Sequence, residues 1–251
     1  RLFRKLFVQN KMQKKLIKFS IFFIIIITLL ITYLTLIGIN TEKFNEIIKS
    51  QVLKSNNKIN LELKNVKFLL NPRNLSINIK TFSPKILINN KELKFVYIKT
   101  NISLKSFINK NFSVENLQIS TNTIKLIDLV ALIKSFKNST EMFLLKNIIK
   151  GGLLIGDLNL NFDKNGKIKD DYEIKGFIKE GKINVLRKYF INDLNLVFII
   201  RDKEYYLGDI EGKFNQLNLS LPSIKIKEKN NQYLVDGRLL NKNKDIGIKL
   251  L

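Results

Sequence analysis

The sequence predicts a mostly β protein with one N-terminal transmembrane helix and a short helical insert. Three observations predict this class. The run from Phe19 to Thr41 contains no charged residue. Apolar and polar residues alternate from Ile59 onward, and only the stretch from Ile127 to Lys150 replaces that alternation with helical spacing.

The uncharged run, residues 19–41, has the length of one membrane-crossing helix. At about 1.5 Å per residue it reaches about 34 Å, which exceeds a hydrocarbon core of about 30 Å. The tail before it, residues 1–18, carries basic residues and no acidic ones, which favours the cytoplasmic side. A removable signal peptide is the competing interpretation, but no small-x-small cleavage site follows Leu36. We predict an uncleaved single-pass anchor with the N-terminus cytoplasmic and the bulk of the chain on the other side of the membrane.

A short amphipathic helix is predicted over 42–56, because Phe44, Ile47 and Ile48 lie at helical spacing after Glu42. It either caps the apolar surface that follows or lies on the outer leaflet. The sequence leaves both alternatives open.

Strand patterns define a first β segment over 57–126 and a second over 151–251, separated by the helical insert over 127–150. A change of parity between Leu63 and Val66 suggests a bulge near Asn65. Gly151-Gly152 is expected to end the insert, and Asn165-Gly166 marks a hairpin turn. The strand-like pattern of the last residues, 245–251, leads us to expect that the chain is truncated at its C-terminus.

Composition excludes several classes of function. The net charge of +23 comes mostly from isolated lysines, with few arginines and no RNP-type motif, so no nucleic-acid partner is expected. The chain has no cysteine and no histidine, which removes thiolate chemistry, disulfides and the commonest metal ligand. The run from Asp163 to Glu173 fails the calcium-loop pattern because its glycine is misplaced. We therefore predict no enzyme activity, no metal and no cofactor.

The alternating strands raise the question of what covers their apolar side. In a β-sandwich, two sheets bury these faces against each other. An open, curled sheet would instead form an elongated groove, and its apolar lining would need a long apolar ligand such as an acyl chain. Both architectures remain alternatives at this point.

Three segments of the second β segment share one pattern, DLNLNF from Asp157, DLNLVF from Asp193 and QLNLSL from Gln216. Together with the turn at 71–74 they suggest which alternate positions line an apolar groove. The candidate lipid-groove residues are Leu75, Ile77, Ile79, Leu158, Leu160, Phe162, Leu194, Leu196, Phe198, Leu217 and Leu219. The other interpretation of these residues is an ordinary core.

The order of segments also resembles a known family. A basic tail, one helix and a short amphipathic helix precede a meander with VYIKTNISL from Val96, FSVENLQI from Phe112 and IKL from Ile124. This arrangement resembles the N-terminal part of the AsmA-like superfamily, which includes the TamB and YhdP proteins. The segment from Gly152 to Phe162, with Gly166 and Gly176, is most similar to the YhdP branch.

The resemblance implies an inner-membrane anchor and a long periplasmic β-groove that conducts phospholipids toward the outer membrane. Its implied partners are phospholipid acyl chains, the inner-membrane bilayer and an outer-membrane or envelope protein. Members are usually several times longer than this chain, which again implies truncation. The alternative function is a membrane-tethered β-sandwich that acts as a scaffold or assembly factor in outer-membrane biogenesis.

Overall fold

A computed structural model describes residues 2–55, 57, 59–88, 91–109, 114–136, 140–215, 217–229 and 232–237. The predicted strand-like end at 245–251 lies outside the described residues. So do Phe112, at the start of one predicted strand, and Asn138 and Ser139 between the two predicted helices.

Strands make up most of the described chain. The strands are β1 (Ile39–Thr41), β2 (Ile59–Glu62), β3 (Val66–Asn71), β4 (Ser76–Phe82), β5 (Lys85–Ile88), β6 (Lys91–Ser103), β7 (Val114–Thr121), β8 (Ile124–Lys125), β9 (Ile149–Asn161), β10 (Glu173–Val185), β11 (Tyr189–Arg201), β12 (Glu204–Phe214), β13 (Leu217–Lys229) and β14 (Gln232–Gly237). The helices are α1 (Leu2–Leu36), α2 (Asn45–Ser55), α3 (Leu104–Ile108), α4 (Leu126–Phe136) and α5 (Thr140–Ile148).

The strands form one open antiparallel sheet, which confirms the predicted fold class. Its main path runs in the order β1-β3-β4-β6-β7-β9-β10-β11-β12-β13-β14. The described strands do not close into a barrel or pair off into two facing sheets, so the sandwich alternative is not what they form. The sheet is also uncurled, so its apolar side is an open face instead of the trough that we considered.

Helix α1 is long and apolar enough to cross a membrane. The qualifying segment is Lys14–Leu36, with 23 residues, a mean hydropathy of 2.6 and none of its residues buried. The predicted span at 19–41 overlaps this segment, but residues 39–41 form β1 and pair with β3. Gly38 makes that junction possible: its φ is +73°, and a Cβ atom there would lie 2.2 Å from the Phe68 carbonyl oxygen.

Helix α2 joins the sheet beside this junction. The Phe44 ring meets the Phe68 ring edge to face at 5.1 Å. Asn45 Nδ2 donates to the carbonyl oxygens of Leu63 and Lys64 at 3.2 and 2.6 Å. These contacts fix the chain between β2 and β3.

The prediction of a bulge near Asn65 is wrong. β2 pairs with β5, whereas β3 pairs with β1 and β4. The parity of the apolar residues changes between Leu63 and Val66 because the chain passes from one set of strand partners to another.

A first core lies where the small ribbon of β2, β5 and the start of β6 faces α4. Its buried members are Ile59, Ile88, Leu93, Phe95, Ile124 and Leu132. Lys91 and Asp128 form an ion pair that joins β6 to α4.

The helical insert ends earlier than predicted. Helix α5 ends at Ile148, before the expected stop at Gly151-Gly152, and both glycines lie inside β9.

Bulges keep the apolar residues of the long strands on one face. Glu180 in β10, Asp193 in β11 and Asp209 in β12 have φ values of +53°, +53° and +50°. On β10 the pairing with β11 shifts between Ile178 and Gly181, so Glu180 is the extra residue. In a regular strand, the five steps from Ile178 to Ile183 would place these two residues on opposite faces.

Candidate functional site

An unbroken row of paired residues crosses the sheet on one face. Directly paired residues in antiparallel strands have their side chains on the same face, and here each member pairs with the next. This apolar row consists of Thr41, Val66, Thr81, Ile98, Ile119, Leu158, Ile174, Ile200, Tyr205, Ile226 and Val235. At about 4.8 Å between strands, the row extends over roughly 50 Å.

The adjacent row points to the other face and is polar at every position except the last, Leu234. It consists of Lys67, Lys80, Lys99, Gln118, Asn159, Glu173, Arg201, Glu204, Lys227 and Leu234. Next to it, Asn116 Nδ2 donates to the side-chain oxygens of Asn159 and Asn161, both at 2.7 Å. The sheet therefore has an apolar face, which carries the apolar row, and a polar face, which carries the polar row.

Ion pairs organise the polar face. The Glu173 carboxylate accepts a hydrogen bond from Arg201, and this bond lowers the pKa of Glu173 below its ordinary value. Lys227 and Lys225 bind the Glu204 carboxylate, at 2.5 and 3.1 Å, and likewise lower the pKa of Glu204. These ion pairs join β10 to β11 and β12 to β13 on the polar face.

Phe198 is one of the buried residues on the apolar face. Phe198 pairs with Gly176, which in turn pairs with Gly156. A Cβ atom at Gly176 would lie 2.9 Å from Phe198 Cζ, so the ring covers this glycine. Phe198 is only 8% exposed, although no second sheet covers it among the described strands.

Helix α4 covers part of the apolar face. Leu126 of α4 packs into the same cluster as Leu154, Leu194, Leu196 and Phe198. Beyond α4, the row remains half-buried at Ile174, Ile200 and Ile226 and becomes exposed at Val235, where 67% of the residue is accessible. The insert thus packs on the face at β9 and leaves the strands from β12 to β14 open.

The structure brings most of the predicted groove residues onto this face. Pairing places nine of them there: Ile77, Ile79, Leu158, Leu160, Leu194, Leu196, Phe198, Leu217 and Leu219. Leu75 lies in the turn between β3 and β4, with a φ of +47° and 45% exposure. Phe162 follows β9 and forms an isolated bridge with Ile168. Whether these residues contact lipid stays a prediction.

Several members of the row were missing from the predicted set. Ile98, Ile119, Ile174, Ile200 and Ile226 all belong to alternating runs, but the sequence gives no register between strands. Only the pairing shows that they are in line. Gly156 and Gly176 were also missing from the predicted site residues, because their position beside Phe198 depends on the pairing of β9, β10 and β11.

Comparison with known proteins finds no family model, no curated protein and no solved structure that matches this chain. The resemblance to the AsmA-like superfamily therefore stays a prediction.

The apolar row offers mainly apolar contact. Tyr205 is the one ionisable residue of this row, and burial raises the pKa of its phenol. Among the described residues, no group of three or more acidic side chains is placed to hold a metal ion. The face offers a continuous apolar contact surface instead of a pocket with convergent polar groups.

Proposed function

We propose that this chain is a membrane-anchored protein that binds phospholipid acyl chains on the apolar face and conducts them between the inner and outer membranes. The observation that carries this proposal is the apolar row, which is continuous from β1 beside α1 to β14. Soluble monomers rarely expose a contiguous apolar patch of more than a few hundred Å² without a binding partner.

The two faces of the sheet suit an amphiphile that moves across the strands. Acyl chains lying along the apolar row remove Ile, Leu and Val side chains from water, which contributes about 25 cal/mol per Å² of apolar surface covered. The charged headgroups stay in solvent at the edge of the sheet. Because the row repeats one strand after another with similar side chains, a lipid moves along it without leaving a deep binding site.

The anchor meets the start of the row. Helix α1 passes into β1, and Phe44 covers Phe68 at the first full strand of the apolar face. The basic residues ahead of the uncharged run at 19–41, including Lys14, Lys15 and Lys18, favour a cytoplasmic N-terminus and a periplasmic sheet. In this orientation the apolar row begins beside the bilayer that supplies the lipid.

The test compares two isoleucines that are adjacent in sequence and lie on opposite faces. The full chain is purified in neutral detergent, and bound phospholipid is measured by native mass spectrometry and lipid extraction. We expect co-purified phospholipid with the wild type and with Ile199→Asp, and strongly reduced phospholipid with Ile200→Asp. Folded Ile200→Asp protein with unchanged lipid would contradict the proposal, as would a folded wild type without lipid. Circular dichroism establishes folding in each case.

A second candidate function is a membrane-tethered scaffold that binds an envelope protein. Apolar side chains on the polar face favour it: Ile155, Phe177 and Ile199 are 51%, 38% and 36% exposed, and pairing places Ile155 opposite Phe177. This function predicts that Phe177→Asp abolishes capture of a partner protein while the amount of bound phospholipid remains unchanged. Lipid conduction predicts no loss of transport in the same variant.

A further inference from the structure

A cleft lies where α5 meets the turn between β10 and β11. Its volume is about 750 Å³, which is within the range of small-molecule sites. Its apolar walls are Phe143, Leu144 and Ile148 of α5, with Val185 and Leu186 on the other side. The floor includes Asn184, whose side-chain oxygen is buried and has no hydrogen-bond partner in the described part of the chain.

The turn presents Leu186 to solvent in a strained conformation. Leu186 and Arg187 have φ values of +54° and +56°, in the left-handed region that residues other than glycine rarely adopt. The Lys188 amide donates to the Val185 carbonyl at 3.1 Å and closes the turn. Leu186 is 84% exposed, so neither backbone preference nor packing within the described part of the chain explains a leucine here.

The rim of the cleft is cationic. Lys150 and Arg187 line it, and none of its lining residues is acidic. In the part of the chain that the structure describes, neither side chain forms an ion pair with a carboxylate. Lys188 lies beside them, over the Tyr189 ring at 5.2 Å. Apolar walls below a positive rim match a molecule with acyl chains and one anionic headgroup.

The cleft is continuous with the apolar face. Val185 pairs with Tyr189, and Ile183 pairs with both Ile149 and Ile191. Ile149, Ile183 and Ile191 pack against the central cluster that contains Phe198. An acyl chain that enters beside Leu186 therefore meets apolar side chains without a break as far as the apolar row.

We propose that this cleft binds an anionic phospholipid and is a lateral port through which that lipid reaches the apolar face. The proposal rests on the proposed function, because the port needs the face to accept what it binds. Arg187 and Lys150 hold the headgroup phosphate, while Phe143 and Leu186 contact the upper part of the acyl chains.

The test uses photo-crosslinking of the full chain in neutral detergent, with benzoylphenylalanine in place of Leu186 or, separately, of Ile200. Each protein receives dihexanoyl phosphatidylglycerol or dihexanoyl phosphatidylcholine, which have the same acyl chains and differ in net charge. We expect at least about tenfold stronger crosslinking of the anionic lipid at position 186, corresponding to about 1.4 kcal/mol. Lys150→Glu combined with Arg187→Glu should remove that preference, whereas Lys99→Glu on the polar face should retain it.

The outcomes separate the two proposals. Crosslinks at position 200 without a charge preference at position 186 overturn the port and leave lipid binding on the face intact. Crosslinks of the anionic lipid at position 186 with none at position 200 overturn the proposed function and, with it, the role of the cleft as a port. Complete competition at position 186 by an equal concentration of glycerol phosphate overturns the lipid assignment, because a site that recognises acyl chains binds the lipid more tightly than its headgroup.

Discussion

The Phe198 ring lies over Gly176 of the neighbouring strand, where a Cβ atom would be 2.9 Å from Phe198 Cζ. The same Cβ atom would lie 2.4 Å from the Ile155 carbonyl oxygen. An aromatic ring over a strand glycine shields backbone that lacks a side chain of its own. This contact keeps Phe198 buried on a sheet that has no second layer over it in the described strands.

Gly176→Ala should destabilise the protein. The new methyl group meets a carbonyl oxygen that cannot move without disturbing β9, so we expect a loss of about 1–3 kcal/mol in the free energy of unfolding. The matched control is Gly151→Ala on β9, where the Cβ atom finds the Lys182 side chain at 3.5 Å, an ordinary contact. The control should change stability by less than about 0.5 kcal/mol. Urea unfolding followed by circular dichroism measures both, and equal effects would contradict the packing described here.

Deletion of Glu180 should be far less damaging than deletion of a residue from the regular part of the same strand. Without Glu180, four steps separate Ile178 from Ile183, so a regular strand keeps both residues on the apolar face. Deletion of Lys175 leaves three steps between Ile174 and Ile178, which turns one of them toward the polar face and should lower the thermal unfolding temperature sharply. Thermal unfolding followed by circular dichroism measures both variants, and equal losses would contradict the assignment of Glu180 as the extra residue of a bulge.

Acid should weaken the contact between β10 and β11. The Arg201 hydrogen bond lowers the pKa of Glu173, so its stabilising effect is complete above the ordinary glutamate pKa of about 4.3. The effect is lost as the pH falls through the lower pKa of the folded state. Glu173→Gln should therefore be slightly less stable than the wild type near neutral pH and equal to it in strong acid. Urea unfolding at several pH values measures this, with Glu115→Gln as a control for the loss of one carboxylate, and a constant difference down to strong acid would contradict it.

Charges within α1 should release the chain from membranes. Ile25 and Leu29 lie inside the exposed apolar segment Lys14–Leu36, and an arginine near the centre of a bilayer costs about 2.5–3.5 kcal/mol on insertion scales. We expect the wild type and Lys18→Arg to stay in the membrane fraction after alkaline carbonate extraction. Ile25→Arg combined with Leu29→Arg should move protein to the soluble fraction. Full membrane retention of the double variant would show that α1 is not the anchor.

Sequence periodicity predicts which residues of a strand share a face, but it does not predict which strands pair. The alternation through Leu158 and Leu160 and through Leu194, Leu196 and Phe198 is sufficient to place these residues on one face. Leu75 does not lie in a strand, because the alternation of apolar residues continues into a turn, where its φ of +47° takes it out of the strand. A pattern of side chains carries no information on that backbone change.

Bulges and changes of strand partner account for the other features of the sheet that the sequence pattern did not predict. Glu180 occupies a left-handed position without being glycine, so no turn signal marks it. The parity change before Val66 has the same appearance in sequence as a bulge, yet it reflects a move between strand partners. The line from Ile98 to Ile226 depends on pairings between strands that are distant in the chain, and these are visible only in the fold.

The most direct test of the central claim is photo-crosslinking at two adjacent positions of the full chain in phospholipid membranes. Benzoylphenylalanine replaces Ile200 on the apolar face or Ile199 on the polar face, and crosslinked phospholipid is identified by mass spectrometry. The apolar row predicts phospholipid adducts at position 200 and few or none at position 199. Equal labelling at both positions, or labelling at neither in a folded protein, would contradict the conclusion that the apolar face binds acyl chains.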